Sequence, residues 1–147
     1  MPSEATHSAL SGRCYCGAVT FQTRRPPLTV AYCHCADCRR WTGSPVSAFA
    51  AFGVADVVAT PDFGKRISVN PGVERWFCPD CGAPIAAKYD YLPDQIYVSV
   101  GLFDDPSQLP PQMHAHAEQA VTWLHLEDGL PRSTGSARAA LNATREG

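Results

Sequence analysis

Hydrophobic and polar positions alternate over short stretches, and Gly or Pro breaks the pattern about every ten residues. Residues 18–23 place Val19 and Phe21 on one face, and residues 28–33 follow the Pro26-Pro27 break. Residues 45–52 and 54–60 are apolar runs split by Gly53, and residues 65–70 end at Pro71-Gly72. Residues 73–78, 84–89, 95–102 and 120–126 complete the series. Each run is short and rich in β-branched or aromatic side chains, so each predicts a strand. A chain of such strands predicts an all-β fold. Thirteen prolines work against long helices. One short helix is predicted between Cys35 and Gly43, with Gly43 placed to end it in the left-handed conformation.

The 147 residues suit a single domain, expected over residues 12–131. Residues 1–11 are small and polar, and residues 132–147 are rich in Ser, Ala, Gly and Arg; both are expected to be flexible ends. Charge adds little: the net value is −2, and 18% charged residues is below the usual fraction of about a quarter. That balance argues against nucleic acid and against an anionic membrane surface as partners. No apolar run approaches the roughly 20 residues of a membrane-spanning helix, and the first residues lack a secretory signal. The expectation is a soluble, cytoplasmic protein.

Seven cysteines change the picture. The cytosol keeps thiols reduced and the number is odd, so metal ligation or thiol chemistry is expected rather than a disulfide framework. The cysteines form three clusters: Cys14-Tyr-Cys16-Gly17, Cys33-His34-Cys35-Ala-Asp-Cys38 and Cys78-Pro-Asp-Cys81-Gly82. The first and third supply two thiols each, the four that a tetrahedral structural zinc requires. In an extended strand Cys14 and Cys16 would project from one face, and Gly82 gives the second pair the freedom for a tight turn. A redox pair at Cys78 and Cys81 is the competing reading, but no βαβ pattern surrounds it.

The middle cluster has three thiols and no cysteine left to complete it. Three protein ligands with one open position describe a catalytic zinc. A closed site with His114, His116 or His125 as fourth ligand, and three metal-free cysteines, remain alternatives. His34 alternates away from its neighbours' side and is expected to be packed or hydrogen-bonded. An open zinc held by three thiolates is a soft site suited to a fourth sulfur, which it would hold deprotonated. The expected substrate is a small thiol or its adduct, and the expected step makes or breaks a carbon–sulfur bond. Arg39 and Arg40 follow Cys38 and could offset the negative charge or grip a carboxylate, with a solvated helix face as the alternative. Trp41 is the candidate aromatic wall and Ser44 a candidate substrate hydrogen bond. Asp104 and Asp105 read as a turn before Pro106.

Gly12-Arg-Cys14-Tyr-Cys16-Gly17-Ala-Val19-Thr-Phe21, Cys33-His-Cys-Ala-Asp-Cys38-Arg39-Arg40-Trp-Thr-Gly43-Ser44 and Arg75-Trp-Phe-Cys78-Pro-Asp-Cys81-Gly82 together resemble the glutathione-dependent formaldehyde-activating enzyme family, whose domain is shared with centromere protein V. The resemblance extends from Gly12 to Pro131. It implies a zinc-stapled all-β fold termed a β-tent, with at most one or two short helices. It implies two zinc ions, a structural one on Cys14, Cys16, Cys78 and Cys81 and a second on Cys33, Cys35 and Cys38. It also implies a carbon–sulfur lyase or synthase that forms or cleaves S-(hydroxymethyl)glutathione, with glutathione as the thiol. A non-catalytic zinc-binding module and a thiol or metal sensor are the rival functions.

Overall fold

The computed structural model describes residues 9–136, so parts of both expected ends, residues 1–8 and 137–147, lie outside the described residues. Ten strands and one α-helix make up the regular structure among those residues: β1 (Ser11–Arg13), β2 (Thr20–Thr23), β3 (Thr29–Cys33), α1 (Ala36–Thr42), β4 (Ser47–Gly53), β5 (Val57–Thr60), β6 (Lys65–Ile67), β7 (Val73–Phe77), β8 (Pro84–Tyr89), β9 (Leu92–Ser99) and β10 (Met113–Ala115). The all-β expectation holds. β1, β2 and β5 form a small antiparallel sheet. The other seven strands form a large sheet in the order β10-β3-β4-β9-β8-β7-β6, antiparallel except for the β10–β3 pair.

Side-chain alternation explains why the centre of the large sheet is apolar on both faces. From β4, Ala50 and Phe52 point into a core shared with Phe21 of β2, Val57 of β5, Ile85 of β8 and Val98 of β9. That core fills the space between the two sheets, and burying each large side chain there stabilises by roughly 1.5–3 kcal/mol. The intervening β4 residues, Phe49 and Ala51, point the other way. They join Ala31, Tyr97, Met113 and Ala115 in a second cluster on the far face, where Cys38 of α1 is also buried.

Two expectations are corrected. Residues 120–126 form no strand, and Trp123 in that run is 67% exposed. The free edge of β3 is taken instead by Met113–Ala115, a run too short to read from sequence. The strand expected over 95–102 begins earlier, at Leu92, and ends at Ser99, where a 3-10 turn over Val100–Leu102 follows. Gly43 ends α1 as expected, with φ 76° and its N–H on the Arg39 carbonyl at 2.8 Å. Residues 131–135 run beside β10, with hydrogen bonds between His114 and both Pro131 and Ser133.

Candidate functional site

Two groups of thiols assemble, one associated with each face of the large sheet. The first joins Cys14, Cys16, Cys78 and Cys81, whose sulfurs all lie within 4.8 Å of one another. Cys14 and Cys16 come together in the β1–β2 turn rather than along a strand; the Gly17 N–H closes that turn on the Cys14 carbonyl at 3.1 Å. Cys78 and Cys81 sit in the β7–β8 turn, where Gly82 adopts φ 81° and donates to the Cys78 carbonyl at 2.8 Å. The Cys14–Cys16 and Cys16–Cys78 sulfurs are 3.7 and 3.8 Å apart. Four sulfurs at about 2.3 Å from a tetrahedral zinc would stand about 3.8 Å from each other, so this donor set fits that ion. Cys14 and Cys78 are fully buried in the intersheet core. Burial opposes ionisation of Cys14, but the Val19 N–H and the Cys78 and Cys16 thiols outweigh it and lower its pKa to about 6.

The second group is Cys33, Cys35 and Cys38. Cys33 is the last residue of β3, and Cys35 caps α1, its sulfur accepting from the Cys38 N–H at 3.3 Å. Cys38, one turn along, faces the sheet. Cys33 lies 3.4 Å from each of the other two sulfurs, compact enough to share one ion. Hydrogen bonds from the Cys33 and Cys38 thiols hold the Cys35 pKa down despite its burial. The same hydrogen bonds, with burial, push Cys33 up.

The group closes at three among the described residues. His114 is engaged elsewhere: its Nδ1 meets His34 Nε2 at 2.8 Å and its Nε2 meets Asp128 at 3.0 Å. His34 is therefore buried and hydrogen-bonded, as expected; burial, then His114 and Arg132, lowers its pKa and keeps it neutral. His116 borders the same cavity as the thiols, and neither it nor His125 joins the group.

That cavity, about 280 Å³, has the three thiols in its wall. Ala31, Phe49, Val73, Tyr97 and Ala115 supply apolar lining. Arg75 of β7, which the sequence reading did not single out, borders it and is 6% exposed. Its Nη2 is 2.5 Å from Asp37 and 3.8 Å from the Cys38 sulfur, and its guanidinium stacks 4.5 Å over Trp41. Burial would lower the Arg75 pKa, but Tyr89, Asp37 and Cys38 more than reverse this and raise it. The Tyr89 hydroxyl lies 3.9 Å from the Cys38 sulfur, and burial raises its pKa well above the usual value, so it stays a donor.

The other expected contacts lie around rather than in this cavity. Trp41 stacks on Phe49, with centroids 6.3 Å apart, and lines an adjoining groove with Arg40. Arg39 and Ser44 line a third depression beside Val121 and Trp123, and the Ser44 hydroxyl donates to the Val46 carbonyl at 2.6 Å. The signal for Arg75 was present: it is a charge in register with Val73 and Phe77, on a strand leading to the knuckle, with Asp37 inside the three-thiol motif as its counterion.

Residues 9–119 match the profile of a family described as glutathione-dependent formaldehyde-activating enzyme. An uncharacterized lyase of Schizosaccharomyces pombe is 29% identical over 92 residues, or 63% of this chain. The chain spans 66% of that relative's length, just under two thirds. A crystal structure of a Rhodobacter sphaeroides protein superposes with a TM-score of 0.54 at 19% identity, over 84% of this chain and 99% of that one, a likeness of fold.

Proposed function

The chain belongs to the glutathione-dependent formaldehyde-activating enzyme family, and from that premise we propose that it is a metal-dependent carbon–sulfur lyase or synthase acting on a small thiol–aldehyde adduct. The observation that carries this reading is the division of the cysteines. Four group together, with Cys14 and Cys78 in the core and Cys16 and Cys81 toward the surface, while Cys33, Cys35 and Cys38 stand in a cavity wall with no further ligand grouped with them among the described residues. The quartet is the structural zinc site in this reading, and the triplet the second, open one.

Zinc at the triplet would supply a soft acceptor that keeps a fourth sulfur deprotonated at neutral pH. The chain's residues do the rest. Cys35, held at the N-cap of α1, fixes the triplet's shape. Arg75 and Asp37 form the polar end of the cavity, and Arg75 offsets part of the thiolates' negative charge. Phe49, Tyr97 and Val73 give the reacting sulfur an apolar wall. The reaction joins a thiol to an aldehyde carbon, the thiol proton finishing on the hydroxyl oxygen, or reverses that step.

S-(hydroxymethyl)glutathione, the adduct implied by the family's description, is the first to assay. Magnetisation-exchange NMR on glutathione and formaldehyde with the zinc-loaded chain should show exchange above the spontaneous rate, abolished by Cys35→Ser. Turnover of every tested adduct at an unchanged rate in Cys35→Ser would rule the mechanism out.

A further inference from the structure

The strand that leads to the Cys78–Cys81 turn also sets a guanidinium beside the other three thiols, and part of it is unused. We propose that Arg75 is the carboxylate anchor of this cavity, so that the site selects thiols bearing a carboxylate near the sulfur, glutathione through its glycyl end among them. The inference rests on the open three-thiol site just proposed and names the group by which that site recognises its thiol.

Strand register decides where the guanidinium goes. Arg75 lies opposite Ala87 and Val73 opposite Tyr89, so β7 and β8 present Val73, Arg75 and Tyr89 on one face of the sheet, the face that lines the cavity. There Arg75 is 6% exposed and held from several directions. Its Nη2 is 2.5 Å from Asp37 and 3.8 Å from the Cys38 sulfur, and its plane lies 4.5 Å over Trp41 and 5.9 Å from the Tyr89 ring. Nη1 has no hydrogen-bond partner among the described residues. An unpaired N–H on a buried cation is costly, and an ionised acceptor satisfies it best, since charge-assisted bonds are about twice as strong as neutral ones. The grip on Nη2 fixes the fork before a ligand arrives, so little freedom is lost on binding.

Asp37 does not use up this capacity. Its Oδ1 accepts from Asn70 at 2.6 Å and its Oδ2 from Arg75 Nη2, so both oxygens already carry a hydrogen bond. Its side chain is 41% exposed, and water screens its charge against an incoming anion, whereas Arg75 acts from a buried position. The metal-bound thiolates are negative as a group, so a carboxylate is accepted only where a cation stands, and Arg75 is the one fixed cation among the described lining residues. The rest of the lining suits the rest of such a molecule. Phe49, Val73 and Tyr97 offer carbon to the methylenes between sulfur and carboxylate, and Tyr91, His116 and Ser136 offer polar surface to the amides of a peptide thiol. Because Nη1 and Nη2 share one carbon and Nη2 is 3.8 Å from the Cys38 sulfur, the anchor favours a carboxylate close to the thiol, the nearer of glutathione's two.

The test is a titration of the full chain loaded with two Co(II) ions, followed through thiolate-to-cobalt charge-transfer absorption. The probes are two pairs that differ in one carboxylate: 3-mercaptopropionate with 3-mercaptopropan-1-ol, and glutathione with its glycyl ethyl ester. In each pair the acid should half-saturate the change at a concentration at least about tenfold below its neutral partner. Arg75→Gln, which keeps a donor and removes the charge, should bring both ratios near one at two cobalt ions per chain, and Arg75→Lys should restore part of them. Equal binding of acid and neutral partner in the unmodified chain would overturn the proposal, and so would ratios that survive in Arg75→Gln. Loss of preference in the glutathione pair alone would overturn the glycyl assignment. Silence from all four thiols, with both cobalt ions bound, would instead defeat the open-position reading, and this proposal with it.

Discussion

Replacing His114 by Phe tests how the loop between Cys33 and Cys35 is held. The ring of His114 is 2% exposed and stacks on Tyr32, with centroids 4.7 Å apart, so Phe keeps an aromatic ring in the stack, though a slightly larger one. What goes is the chain of hydrogen bonds from His34 through His114 to Asp128, at 2.8 and 3.0 Å. Asp128 keeps Arg132 at 2.6 Å and the Leu130 N–H at 3.0 Å, so its loss is small. His34 fares worse: its Nδ1 already lacks a partner, and the substitution strands Nε2 as well. A newly unpaired buried donor costs about 1–3 kcal/mol, and the lost bond to Asp128 about 1 more, against which the more apolar ring returns about 1. The net expectation is about 1–3 kcal/mol, or a Tm lowered by roughly 4–8 °C at the middle of that range. Urea unfolding in saturating zinc would measure it, and a midpoint shift without a change in slope is expected. Stability within about 0.5 kcal/mol of the parent would refute the argument that the His34–His114 bond holds this loop.

Metal analysis of two serine variants should separate the two thiol groups. Cys81→Ser should cost both metal and fold, because it strands Cys14 and Cys78 in the core; Cys35→Ser should leave circular dichroism unchanged and metal near one ion per chain. An identical response from the two variants would contradict the division of roles. Arg75→Met should speed loss of zinc from the cavity thiols to a chelator by about tenfold, with Arg75→Lys restoring part of the retention through charge alone; equal rates in all three would remove Arg75 from the site. Asp128 is lowered from 3.8 to about 2: burial works against this, and the His114 hydrogen bond, the Leu130 N–H and Arg132 outweigh it. A depressed carboxylate stabilises the fold above its unfolded pKa and loses that contribution as pH falls from about 4 toward 2. Asp128→Asn should therefore narrow its stability gap to the parent over that window, and a gap independent of pH would show that the carboxylate's charge is not involved.

The strands that were legible in sequence were those with a strong apolar period and a sharp end. Pro84–Tyr89 matches its run residue for residue, and α1 lies where Cys35 and Gly43 bracket it. β10 was not legible because three residues carry no period; its place is set by the open edge of β3. The run around Val121 and Trp123 misled for the opposite reason, having strand-forming residues but no edge to pair with. The thiol groups could be sorted from spacing alone, since two pairs and a triplet admit few partitions. Arg75 was missed although its signal, a charge in register with Val73 and Phe77, was there, because its partner Asp37 lies 38 positions away in sequence.

The large sheet stands between the two thiol groups, and this makes the fold modular in what it can lose. The quartet is tied to the core between the sheets, whereas the triplet and its cavity use the outer cluster around Phe49 and Tyr97. A descendant of this chain could exchange Cys33 or Cys35, which are only half-buried, and keep the intersheet core and the quartet intact. Changes at Ala31 or Ala115, small side chains on the cavity wall, would recut that pocket for a different body without disturbing the intersheet core. Scaffold and thiol triplet are thus carried by separate clusters of side chains, and one can be altered with little effect on the other.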